Sequence, residues 1–300
     1  MKRRYFLLGG FSGLGLALGS QYLYAQRIQT LVSCPKVDAK LSQPLLRFIA
    51  LADTGFGNDG QYAVAKAMIC YAQANPFPLV LLAGDNIYNN GEIEKISSVF
   101  EQPYQVLLKQ GIKFYATLGN HDIRTNNGED EIRYPGFNMQ GRYYTFTKES
   151  VQFFAIDTNN NAPWKEQLNW LEENLANSQL PWKIVVGHHP VYSSGWHGGN
   201  KQIMEQLTPL FSRYKVQLYL SGHDHNYERT HPVHGTTYLI CGAGAKTRPV
   251  RHSSWTAFSA SKLSFAAFDV YSNRLEIRGI DTDGKIFDSV RIFNSTSVIN

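Results

Sequence analysis

The chain has 300 residues, of which 43% are hydrophobic, 13% aromatic and 18% charged, an ordinary globular composition that excludes long disorder. Its formal net charge is +5, and Lys2, Arg3 and Arg4 supply three of those positives, so the remainder is nearly neutral and gives no case for nucleic-acid binding. Beyond the N-terminus there is no window of about 18 unbroken apolar residues, which excludes a multi-pass membrane protein.

In chain order, residues 1–25 look like an export signal. Lys2-Arg3-Arg4 is a charged start, and Phe6 to Leu18 is a mildly apolar stretch diluted by Gly9, Gly10, Gly13 and Gly15. Arg3-Arg4-Tyr5-Phe6-Leu7 resembles the twin-arginine signal, whose route exports folded proteins, so a metal can be loaded first. Cleavage near Ala25 is expected, with an uncleaved anchor as the alternative. The expected location is therefore periplasmic or extracellular, with no stable membrane span after cleavage. Residues 26–46 read as a linker. Residues 47–300 read as one domain, because no repeat, low-complexity block or Pro/Gly/Ser tract divides them. Cys34, Cys70 and Cys241 form no C-x-x-C pair. Cys70 and Cys241 read as buried apolar residues, and the odd count excludes a complete disulfide framework.

Strands are expected at Phe48–Ala52, Leu79–Ala83 and Lys113–Thr117, with helices from Gln61 to Ala74 and Ile93 to Lys109 between them. A polar loop from Ile123 to Gln140 follows. Tyr143–Phe146 and Val151–Ile156 read as strands, and Pro163 to Asn177 as a helix with Trp164, Leu168, Leu171 and Leu175 on one stripe. Lys183–Val186, a helix from Lys201 to Tyr214, and Gln217–Leu220 complete the alternation. Thr237–Ile240, Ser264–Tyr271, Leu275–Ile280 and Ile286–Phe293 read as strands without helices. Alternating short apolar runs and helices imply βαβ units, and the helix-free tail implies a second, mixed sheet, hence an α/β class.

The chemistry sits where the runs stop. Five strands end at a metal-capable residue: Asp53, Asp85, Asn120, His188 and His223. In open α/β sheets ligands bind beyond the carboxyl ends of strands, so these residues point at one place. A lone strand-end Asp or His is usually a cap, but five together are hard to assign that way. Tyr88 lies three residues after Asp85, and His223-Asp224-His225 sets two imidazoles on one turn. Seven donors exceed a tetrahedral single-ion site and suit two ions sharing a bridging carboxylate.

Asp53-Thr54-Gly55, Gly84-Asp85-Asn86-Ile87-Tyr88, Gly119-Asn120-His121-Asp122, Val185-Val186-Gly187-His188 and Gly222-His223-Asp224-His225 resemble, in order, the five blocks of the purple acid phosphatases of the calcineurin-like metallophosphoesterase superfamily. The tail strands resemble the small tartrate-resistant acid phosphatase type. The resemblance implies a four-layer α-β-β-α sandwich of two mixed sheets flanked by helices. It implies that Asp85 bridges two metals, that Asp53, Tyr88 and His225 complete one site, and that Asn120, His188 and His223 complete the other. Tyr88 is the discriminating residue, since a phenolate favours Fe(III) and gives the family its colour; its alternative role is an aromatic wall. The partner ion would be a divalent Fe, Zn or Mn. The expected reaction is hydrolysis of phosphate monoesters by metal-activated hydroxide, with acid-pH activity attributed to Fe(III). Small-molecule phosphate esters or phosphoproteins would be substrates, and inorganic phosphate a product.

His121 and His197 match family positions for substrate contact and leaving-group protonation. His121 could instead orient a ligand, paired with Asp122, and His197 could be a solvated loop residue. His189 is expected to point away from the centre, and His231 and His234 to lie at the surface. Asp224 could hydrogen-bond a ligand imidazole or serve the turn. Trp196, Tyr192 and Tyr227 could wall the pocket or pack. Competing readings are a phosphodiesterase or nucleotide phosphoesterase of the same fold, an iron-dependent redox activity, and a non-catalytic metal module.

Overall fold

The structure, a computed structural model, describes Cys34 and residues 43–294; the expected export signal at 1–25 and most of the linker lie outside these residues. The order of the chain's elements follows from the burial of its apolar runs. β1 (Leu46–Leu51) is buried along its whole length. Phe48 and Ala50 face one apolar cluster while Ile49 and Leu51 face another, the period-two split of a strand covered on both sides. A one-residue slip would exchange the two sets, so the register is fixed.

β1 pairs in parallel with β2 (Leu79–Leu82), and β2 with β3 (Lys113–Ala116). On its other edge β1 pairs antiparallel with β11 (Ser264–Val270), which continues to β12 (Arg274–Asp281) and β13 (Ile286–Phe293). The second sheet runs β10 (Thr256–Ala260), β8 (Tyr227–Thr230), β9 (Thr237–Cys241), β7 (Leu218–Ser221), β6 (Trp182–Val186), β5 (Val151–Ala155) and β4 (Tyr144–Lys148). One core lies between the sheets and joins Phe48, Phe153, Ile184, Leu220 and Phe268. A second packs α1 (Asp59–Ala74) on the first sheet through Val64 and Met68. A third packs α4 (Trp164–Asn177) and α5 (Lys201–Arg213) on the second sheet through Leu171, Leu175, Ile203 and Leu207. Each such side chain contributes ~1.5–3 kcal/mol over leaving it exposed. The result is the expected four-layer sandwich.

Local chemistry sets the element boundaries. Asn58 and Asn200 start α1 and α5 by accepting hydrogen bonds from the Gln61 and Ile203 amides at 3.0 and 3.1 Å. The single helix expected over 93–109 is broken into a 3-10 turn (Ile93–Lys95), a π turn (Ser97–Glu101) and α2 (Gln105–Lys109). Pro103 has no amide hydrogen and crowds the preceding turn, which accounts for the interruption before α2. The polar loop from Ile123 holds α3 (Glu129–Arg133) and three short 3-10 turns. β8 and β10 were not legible, because neither shows the two-residue alternation of a half-buried strand. Cys70 is buried, but it is not the simple apolar residue expected: it and Cys34 are disulfide-bonded, while Cys241 is free and buried. Among the described residues no helix is long and apolar enough to cross a membrane.

Candidate metal centre

The site forms where β1, β2, β3, β6 and β7 stop. Asp53, Asp85 and His223 all have positive φ (58°, 54° and 69°), a conformation that non-glycine residues adopt at a cost and that turns each side chain back over the strand ends. The neighbouring loops leave no spare volume. A Cβ on Gly119 would stand 2.1 Å from Asp85 Oδ1, so only glycine lets the β3 loop approach the carboxylate.

All seven strand-end and turn donors meet there. Tyr88 Oη lies 2.7 Å from Asp85 Oδ2, 2.9 Å from Asp53 Oδ1 and 3.1 Å from His225 Nε2. Asn120 Oδ1 lies 3.1 Å from His188 Nε2 and 2.9 Å from His223 Nδ1. Asp85 joins the two groups: the same Oδ2 that meets Tyr88 is 3.4 Å from His188 Nε2. Oδ1 accepts from the His121 amide at 2.9 Å. His188 is oriented from behind by the Ala83 carbonyl at 2.9 Å from Nδ1.

The donor set fits cations. Asp53 and Asp85 are buried, and among the described residues neither has a lysine or arginine ion pair. Asp53, Asp85 and His188 offer ligand atoms within 4.8 Å of one another, and so do His188, His189 and His223. One phenolic hydrogen cannot satisfy both carboxylates beside Tyr88, which leaves an acceptor oxygen turned into the cluster. Burial, then the Asp53 and Asp85 charges, hold the Tyr88 phenol far above its ordinary value, so it keeps its proton unless a cation stands beside it. Burial pulls the His188 imidazole down, but the Asp85 carboxylate outweighs it and pushes the group up to about 10. His223 goes the other way, lowered by burial and then by His188, His189 and His197. Two ion-sized groups of donors sharing one carboxylate is the arrangement expected for a binuclear centre.

His121 and His197 differ in their support. His121 Nδ1 is 2.6 Å from the Asn89 carbonyl and its ring lies 4.3 Å from that of Tyr88. It does not pair with Asp122, which instead accepts from the Asn86, Ile87 and Gly119 amides and so ties the β2 and β3 loops together. His197 sits 4.2 Å from the His223 ring, and its amide and Nδ1 lie 2.9 and 3.1 Å from Asp224 Oδ1. Asp224 therefore serves His197, not a donor imidazole. Ser193 Oγ holds the other oxygen of Asp224.

Other expectations are corrected. His189 does not point away: its ring is 4.6 Å from that of His223, with Nδ1 2.9 Å from Thr158 Oγ1. β6 has already ended at Val186, so strand alternation no longer governs it. Tyr227 walls nothing; it is fully buried, with its hydroxyl donating to Asp288. Tyr192 packs on Tyr238, whereas Trp196 is 78% exposed. His231 and His234 are exposed as expected. Sequence reasoning missed the clamp behind His197, where buried Glu228 accepts from the Ser194 amide and hydroxyl and from Thr256 at 2.6–2.7 Å. No sequence signal marked it, because the strand that carries Glu228 shows no alternation of its own.

Residues 46–227 match the calcineurin-like phosphoesterase family. Purple acid phosphatase 17 of Arabidopsis thaliana is 30% identical over 254 residues, covering 73% of this chain and 72% of that protein. The chain belongs to the purple acid phosphatases. Tartrate-resistant acid phosphatase type 5 of Mus musculus is 29% identical over 248 residues, 70% of this chain and 76% of that protein. A solved structure, GAP50, described as the anchor in the inner membrane complex of Plasmodium, shares the fold with a TM-score of 0.73 at 23% identity, covering 83% of this chain and 89% of that one. As a purple acid phosphatase, the chain is a metal-dependent phosphoric ester hydrolase, and the phosphodiesterase and redox alternatives are not favoured.

Proposed function

We propose that this phosphatase hydrolyses phosphate monoesters at a centre of Fe(III) and a divalent ion, Fe, Zn or Mn, and acts outside the cytoplasm. Asp85 would be shared by the two ions; Asp53, Tyr88 and His225 would hold the first, and Asn120, His188 and His223 the second. Bound there, the cation pair supplies charge neutralisation for a phosphoryl group and acidifies water. The chain's own residues do the rest. His121 contacts the phosphoryl oxygens from the Tyr88 side. His197, held by Asp224, presents its imidazole to the leaving oxygen. The Glu228 clamp fixes the loop that carries it. The observation that carries the reading is the contact of Tyr88 Oη with Asp85, Asp53 and His225 within 3.1 Å. The disulfide-bonded state of Cys34 and Cys70 supports an oxidising compartment, which agrees with the export expected from the sequence.

Tyr88→Phe tests the iron assignment. Phenylalanine keeps the 3.7 Å stack on Phe56 but removes the phenolate. The purified protein is expected to absorb in the visible and to turn over p-nitrophenyl phosphate, and the variant to lose the band. An unchanged band would refute the first-site assignment.

Metal loading should also depend on pH. In the metal-free protein His188 holds a proton up to about 10, so a cation must displace it. Loading at neutral pH is expected to release at least about one proton per chain, and affinity to weaken as pH falls. Calorimetry in two buffers of different ionisation enthalpy measures this; equal heats would contradict it.

A further inference from the structure

The loop after β9 brings two cations to the mouth of the site. Arg248 is pinned to the His223-Asp224-His225 turn, its amide donating to the His225 carbonyl at 2.7 Å. Its guanidinium reaches toward the site: Nη1 stands 3.1 Å from His197 Nε2. Lys246 Nζ lies 3.9 Å from the centroid of the Phe56 ring, which stacks on Tyr88. Among the described residues neither cation has a carboxylate partner, although this chain pairs most of its other buried or half-buried arginines.

The contact with His197 has a consequence. Nδ1 of that ring is occupied by Asp224, so Nε2 is the nitrogen free for a leaving group. Arg248 stands on it. The guanidinium has to step aside before the leaving oxygen arrives, and a leaving group that carries its own negative charge offers it a new partner. A planar guanidinium takes carboxylate or phosphoryl oxygens two at a time, and Lys246 adds a point charge.

We propose that Arg248 and Lys246 form a second anion subsite, and that the preferred substrates are phosphate monoesters whose leaving group bears a further phosphoryl or carboxylate group. This rests on the monoesterase reading above. The test compares kcat/KM of the metal-loaded enzyme for propyl phosphate, 3-(phosphonooxy)propanoate and propane-1,3-diyl bisphosphate, three esters of similar leaving group. At least one charged ester is expected to be favoured about tenfold over propyl phosphate, the value of one charge-assisted contact, and the two charged arms tell which anion is read. In Arg248→Gln the preference is expected to fall to within about twofold of unity, and in Lys246→Gln to shrink. Because the readout is a ratio, a general loss of activity does not imitate it. No preference in the wild-type enzyme, or the same preference in both variants, would overturn the proposal. If none of the three esters nor p-nitrophenyl phosphate is turned over, the monoesterase reading fails instead.

Discussion

Asp85→Asn is expected to lower kcat/KM for p-nitrophenyl phosphate by about 10³-fold, a loss of ~4 kcal/mol in transition-state stabilisation. The substitution keeps the shape of the side chain and removes its charge. Asp85 Oδ2 touches both donor groups, at 2.7 Å from Tyr88 Oη and 3.4 Å from His188 Nε2. Its replacement therefore weakens both cation positions at once, where a change at Asp53 or Asn120 weakens one. Metal analysis should find fewer than two ions per chain. A variant that retains two ions and most of its activity would show that Asp85 does not bridge.

His197→Ala is expected to act differently, with metal retained and kcat lowered by about 10²–10³-fold for alkyl phosphates. His197 meets the centre through its ring, 4.2 Å from that of His223, and through Asp224, and it is none of the seven donors, so removing it leaves them in place. If it protonates the leaving group, the loss should be small for p-nitrophenyl phosphate, whose leaving group departs readily as an anion, and large for an alkyl ester, whose alkoxide does not. The comparison of kcat for p-nitrophenyl phosphate and glycerol 3-phosphate reads this. Equal losses on both substrates would assign His197 to binding.

The fold and the donor set were legible for the same reason. A parallel strand covered on both faces is a short, nearly unbroken apolar run, and β1, β2, β6 and β7 all have that form. The residue that breaks the run is then the one at the strand's carboxyl end, which is how Asp53, Asp85 and His188 stood out. What was not legible depends on partners distant in sequence. Glu228 reads as an ordinary charged residue until β10 brings Thr256 to it. Cys34 gave no sign of bonding from a segment without periodicity. His189 was misjudged by extending strand alternation past the strand's end, and Arg248 lay in a loop whose course only the fold determines.

Anomalous diffraction from crystals of the metal-loaded protein tests the central claim most directly. The account predicts two peaks on either side of Asp85, one against Asp53, Tyr88 and His225 and the other against Asn120, His188 and His223. A single peak, or a second peak held by His189 in place of Asn120, would contradict it.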